Sequence, residues 1–178
     1  KMDRVLSVDT ANRCAWVEPG VLNLDLTRQV TKYGLHFAPD PSSQQSCSIG
    51  GNVANNSGGP HCLSDGVTAA HILAMEVVLS DGTIVDLGGE QPEPDGLDLR
   101  GAFVGSEGMF GIATKVCVRL TQNAPAVRTM LMDFETVEAG GPEAFPLPQP
   151  LVGLRQRAGA QRAVRGATDL AALHEARL

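Results

Sequence analysis

The chain has 178 residues, enough for a domain with a real core, since a chain of that size buries roughly 70% of its unfolded surface. A net charge of −6 with no basic stripe excludes nucleic acid as a partner, but not a phosphate-bearing small ligand held by backbone N–H groups. No apolar run reaches the roughly 18 residues of a membrane span, so no transmembrane segment is expected, and Cys14, Cys47, Cys62 and Cys117 lie too far apart for a C-x-x-C pair. Reduced thiols are expected, with neither a disulfide framework nor a metal site.

In chain order, Arg4–Asp9 alternates as a strand. A turn at Ala11-Asn12 leads to a second strand, Cys14–Glu18, which Pro19-Gly20 breaks. Leu24, Leu26, Val30 and Tyr33 form a helical stripe with Asn23 as N-cap and Gly34 as the C-terminal stop. From Phe37 to Gly66 the chain reads mostly as loop, with a short helix around Ile49–Asn56. His71–Leu79 reads as a buried strand, Asp81-Gly82 as a hairpin turn and Thr83–Leu87 as the returning strand. The loop Glu90–Gly96 precedes a short helix near Leu97–Val104, then strands Ile112–Leu120 and Val127–Phe134. Short hairpin-linked strands mixed with short helices predict an α+β domain with a largely antiparallel sheet.

The chemistry-bearing stretch is Ala38-Pro39-Asp40-Pro41-Ser42-Ser43 followed by Ile49-Gly50-Gly51-Asn52-Val53-Ala54-Asn55-Asn56-Ser57-Gly58-Gly59. Two prolines stiffen the entry loop around Asp40. The glycine pairs then remove every Cβ at two turns, so a large ligand can lie flush against bare main chain at 50–51 and 58–59, gripped by peptide groups. From spacing alone, a loop that merely turns a corner is equally open. The run is neither G-x-G-x-x-G nor a P-loop, which disfavours a Rossmann or nucleoside-triphosphate site. A second cluster, Gly105-Ser106-Glu107-Gly108-Met109-Phe110-Gly111-Ile112, again turns sharply into a strand, and Glu107 is either a ligand contact or a solvated turn residue. His61 and His71 are candidate bases; His71, opening a core strand, reads as structural, whereas His61 directly follows the glycine loop.

Taken in order, P-D-P-S-S (39–43), I-G-G-N-V-A-N-N-S-G-G (49–59), H-C-L-S-D-G (61–66), M-E-V-V-L-S-D-G (75–82) and G-S-E-G-M-F-G-I-A-T (105–114) resemble the FAD-linked oxidases, the vanillyl-alcohol oxidase or PCMH-type fold. Within that family the pattern is most similar to the glycolate oxidase flavoprotein subunits, over about Arg4 to Glu138. The resemblance implies the second lobe of a two-lobed FAD-binding domain and FAD as cofactor. Pro39, Asp40, Pro41 and Ser42 would lie along the flavin. Gly50, Gly51, Asn52, Ala54, Asn56 and Gly58 would wrap the pyrophosphate and isoalloxazine through backbone contacts. Gly66 would sit near the ring, and Gly111 and Ile112 near the adenine end. The implied reaction takes a small 2-hydroxyacid, glycolate or D-lactate, to its 2-oxoacid with hydride passing to flavin N5. D-lactate and D-2-hydroxyglutarate dehydrogenases are the alternatives within the family, and a flavin-free fragment acting as an interaction module is the alternative outside it.

The implied partners are a second FAD-binding subunit and an iron–sulfur subunit. The implied location is cytoplasmic, with attachment to the inner face of the membrane through those partners. No catalytic residue is assigned, because the family carries base and carboxylate clamp in a cap domain that these 178 residues do not display. The family's first lobe, with its P-G-G-G-T-type loop, is also not among them, and Asp65 stands where the family usually has an aromatic. The expected organisation is a partial FAD-binding domain over 1–138 and a divergent, poorly packed tail over 139–178, the kind of tail that a truncated or frame-shifted gene produces.

Overall fold

The computed structural model describes residues 1–89 and 96–126. The strand expected at Val127–Phe134 and the tail over 139–178 lie outside the described residues. Five strands form one antiparallel sheet in the order β1-β2-β6-β4-β5: β1 Val5–Asp9, β2 Cys14–Val17, β4 Ile72–Val78, β5 Ile84–Gly88 and β6 Ile112–Arg119. A separate two-stranded pair joins β3 Leu35–His36 to β7 Thr121–Gln122. The α+β, mostly antiparallel expectation is borne out.

Alternation sets which face of the sheet is covered. In β2, Ala15 and Val17 are buried while Cys14 and Trp16 are half-buried. Val17 pairs with Val116, which in turn pairs with Met75, so one row of apolar side chains crosses three strands on a single face. Helices α1 (Asn23–Val30) and α2 (Ile49–Asn55) complete the core with Leu26, Val30, Ile49 and Val53, and α4 (Leu99–Phe103) adds Phe103. Leu26, Val30, Ile49, Val17 and Val116 are fully buried. Truncating such a side chain to Ala removes apolar burial and leaves a cavity, costing about 2–5 kcal/mol for Leu or Ile.

Several boundaries differ from expectation for local reasons. Asn23 does not cap α1. Its N–H is taken by Cys47 O at 3.0 Å, its side chain turns inward, and Leu22 stands in the capping position. Gly34 does stop the helical stripe, at φ 72°, after a single 3-10 turn over Thr31–Tyr33. Ser48 caps α2 by accepting Gly51 N–H at 3.1 Å, and Asn56 ends it in the left-handed region at φ 45°. Asp98 caps α4, so that helix begins two residues later than its apolar pattern suggests. His71 closes a 3-10 turn, Thr68–His71, rather than opening β4. The four-residue α3, Cys62–Asp65, is too short to announce itself by periodicity.

Candidate functional site

Two segments of the sequence motif are lashed together by a buried amide pair. Asn23 Nδ2 donates to Pro39 O at 2.9 Å and to Asn52 Oδ1 at 3.2 Å. Both asparagines have no exposed surface. Asn52 also meets Cys47 Sγ at 3.6–3.7 Å, so the foot of the P-D-P loop, the first residue of α1 and the middle of α2 share one polar knot. An amide suits position 23 because its NH2 group carries two donors, one for each oxygen, where a hydroxyl has one and a hydrocarbon none; Asn23 Oδ1 itself is buried without a partner among the described residues.

On the outer side, Asp40 is gripped from the next segment. His61 Nδ1 lies against Asp40 Oδ2, a pair only partly screened from water. Gly59 packs so closely on Asp40 that a Cβ there would collide with its carbonyl and carboxylate oxygens. Gly58 is likewise pressed onto Cys62, whose sulfur accepts the Gly59 N–H at 2.8 Å. Asn56 Oδ1 accepts Ala69 N–H at 2.9 Å, and Gly66 ends α3 at φ 80°. Pro39, Asp40, α2 and the 56–66 segment are therefore one assembly. Pro41 is half-buried and Ser42 exposed on the same loop, and Ala54 is half-buried on α2.

Gly111 and Ile112 belong to a different neighbourhood. Ile112 pairs with Val78 at the start of β6 and is exposed, while Gly111 backs onto Val78 O. Glu107 is exposed, held at φ 53° with its N–H on Ala54 O at 2.9 Å. That hydrogen bond, with Gly105 N–H on Val53 O at 2.8 Å, ties the second glycine cluster to the C-terminal end of α2.

The amide N–H groups at 49–52 are all bonded within the chain, so any grip on a ligand at 50–51 would come from the rest of the main chain. Ile49 N–H goes to Val21 O and Gly50 N–H to Pro19 O, both at 2.8 Å. Gly51 N–H goes to Ser48 Oγ, and Asn52 N–H to Ser48 O at 2.9 Å. The first turn of α2 is thus spent internally. The glycines also divide by function. Gly50 exists for packing, since its Cβ would stand 2.7 Å from Pro19 Cβ. Gly51 meets nothing closer than Ser48 Oγ at 3.4 Å, and is the one of the four glycines at 50–51 and 58–59 whose missing Cβ leaves space outside the protein's own packing. Asn52, fully buried, supports the site from behind and cannot line it with its side chain.

A cleft of about 380 Å³ opens beside Asp40 and His61, and His36, Gln44, Asp65 and Asn123 also line it. His36 Nδ1 is 2.9 Å from Asn123 Oδ1. Sequence reasoning missed His36, which lies in a two-residue strand, and Asn123, which looks like a turn residue, and it read Asn23 only as a helix cap. His71 is removed from consideration as a base. It is 5% exposed, its Nε2 is held by Asp65 O at 2.6 Å, its ring packs edge-on to Phe37, and burial lowers its pKa.

Comparison with known proteins places this geometry. Residues 1–88 match the family described as FAD binding domain. The glycolate oxidase subunit GlcD of Escherichia coli is 44% identical over 141 residues, covering 79% of this chain and 28% of that protein. The chain belongs to the FAD-linked oxidase family. The GlcD subunit of Bacillus subtilis is 42% identical over 139 residues, covering 78% of this chain and 30% of its own length. A D-lactate dehydrogenase from Anaerostipes hadrus is 34% identical over 139 residues, covering 78% of this chain and 29% of that protein. Among solved structures, an alkyldihydroxyacetonephosphate synthase superposes with a TM-score of 0.62 at 26% identity, over 70% of this chain and 24% of its own. The chain spans under a third of the length of the curated relatives it matches. Among the described residues no helix of the chain is long and apolar enough to cross a membrane, and no group of three His, Cys, Asp or Glu converges to hold a metal ion.

Proposed function

We propose that the chain supplies one wall of the FAD site in a flavin-dependent 2-hydroxyacid oxidoreductase of the glycolate oxidase type. The observation that carries this reading is Gly51: a half-buried helical glycine whose Cβ would meet, among the described residues, only Ser48 Oγ at 3.4 Å, next in the chain to Asn52, which Asn23 ties to the P-D-P loop. A flat ring lying on that face needs the missing Cβ, whereas a purely structural glycine at this helical position would cost about 0.5–1 kcal/mol relative to Ala for no packing gain. Pro39, Asp40, Pro41 and Ser42 would border the cofactor, with Gly51, Ala54, Asn56, Gly58 and Gly66 behind it. Gly111 and Ile112 would serve a more distant part.

Bound FAD would supply the hydride acceptor for conversion of glycolate or D-lactate to the 2-oxoacid. The residues of this chain bind and orient; they are not assigned the proton-abstracting role. A second FAD-binding subunit, an iron–sulfur subunit and a cytoplasmic location, with attachment to the membrane through those partners, complete the proposal.

The test is direct. The purified chain is titrated with FAD, following flavin fluorescence, alongside Gly51→Val. Saturable quenching lost in the variant supports the reading. A chain indifferent to FAD is the flavin-free module instead, and equal affinity in the variant removes Gly51 from the site.

A further inference from the structure

We propose that Glu18 is a positioning residue for the face of α2 that carries Gly51: clamped by Arg4, it fixes the strand end Glu18–Gly20, and that strand end sets where the first turn of α2 stands. What the Gly51 face binds rests on the FAD reading above. Glu18 is 7% exposed, an uncommon place for a carboxylate, whereas the Arg4 side chain that reaches it is mostly exposed. Glu18 Oε2 accepts the Arg4 N–H and Oε1 accepts from Arg4 Nη2, both at 2.8 Å. The main chains close the same contact, with Glu18 N–H on Arg4 O at 2.9 Å and Gly20 N–H on Met2 O at 2.6 Å. A regular antiparallel pair would return the Arg4 N–H to Glu18 O. That oxygen instead accepts Val21 N–H at 3.2 Å, where the chain turns toward α1, and the carboxylate takes its place in the ladder. Position 18 therefore needs a side-chain acceptor.

The strand end fixed in this way is the seat of α2. Pro19 O accepts Gly50 N–H and Val21 O accepts Ile49 N–H, both at 2.8 Å, and Leu22 bridges to Ser48. The first two donors of α2 thus end one and three residues after Glu18. The fit leaves little play, since a Cβ on Gly50 would stand 2.7 Å from Pro19 Cβ. Consecutive glycines have little helical preference of their own, so the turn that presents Gly51 takes its position from these acceptors and from Ser48. The sheet beneath, where Val17 pairs with Val116, is held by its own ladder and core. An ion pair with one exposed partner adds little stability, and the best-attested use of a paired charge at a buried position is to fix register. Here the register is that of the strand end under the glycine helix.

The test uses the full 178-residue chain and compares Glu18→Gln and Arg4→Met with Val8→Ala, which trims a core-packed residue of β1 away from the clamp. Amide hydrogen exchange is measured without ligand, and FAD affinity by flavin fluorescence. Loss of the clamp should speed exchange of the Ile49 and Gly50 amides about tenfold relative to those of Met75 and Val116, and weaken FAD binding about tenfold, the yield of one charge-assisted hydrogen bond. Val8→Ala should affect both sets of amides equally and leave FAD affinity unchanged. Exchange that rises evenly, or not at all, in the clamp variants overturns the inference, and the FAD reading stands wherever the native chain binds FAD. Local acceleration with unchanged FAD affinity overturns it as well. Equal loss of FAD affinity in Val8→Ala makes Glu18 a stabilising residue only and has the same consequence. A native chain indifferent to FAD removes the reading and the inference together.

Discussion

Asn23 and Asn52, separated by 29 positions, meet side chain to side chain at 3.2 Å with no exposed surface on either. The contact holds the P-D-P loop to the glycine helix, because the same Asn23 amide also donates to Pro39 O. Asn23→Leu leaves two buried oxygens without a donor. It should lower stability by about 1–3 kcal/mol in urea denaturation, and weaken FAD binding in the chain that remains folded.

The paired glycines should respond oppositely to alanine. Gly50→Ala drives a methyl into Pro19 and should destabilise by about 1–3 kcal/mol, as overpacking does. Gly51→Ala meets only Ser48 Oγ at ordinary contact distance and should leave the fold unchanged or firmer by about 0.5–1 kcal/mol. FAD affinity should fall in Gly51→Ala despite that. Thermal melts with and without FAD distinguish the two effects.

His71 gives the fold a pH dependence near neutrality. Burial holds its folded-state pKa below the ordinary 6.5, so the folded state prefers the neutral ring. This contribution is complete above about 6.5, where both states are neutral, and is lost as pH falls below that value and the unfolded chain gains the proton first. Denaturation midpoints measured from pH 8 down to pH 5.5 should decline more steeply in the native sequence than in His71→Gln.

Glu18 sets a second, more acidic limit. Hydrogen bonds from the Arg4 side chain and backbone hold its carboxyl down to about 2, from an ordinary 4.5. The stabilisation is present above about pH 4.5 and disappears as pH falls toward 2. Arg4→Met should shift the acid-unfolding midpoint upward, read by circular dichroism.

Cys117 should be chemically silent. Burial, reinforced by the neighbouring Cys14, pushes its thiol up to about 12, and the thiolate is the reactive form. Iodoacetamide at pH 8 should leave Cys117 unmodified in the folded chain and label it once denaturant is added, as peptide mass spectrometry would show.

The sequence by itself determined the strands of the sheet, because alternation at Ala15 and Val17 and the run from Ile72 to Val78 are local patterns that only a half-buried sheet satisfies. It also determined the family, since five motifs in fixed order are a property of the chain and need no coordinates. Only the tertiary structure decided what each glycine and asparagine is for. Gly50 and Gly51 are neighbours with the same side chain, yet Pro19 crowds the space beside one and, among the described residues, only Ser48 Oγ at ordinary contact distance stands beside the other. Asn23 looks like a helix cap until Cys47 O takes its N–H and Asn52, 29 residues away, takes its amide. Packing and buried hydrogen bonds join residues distant in sequence, so no local pattern encodes them.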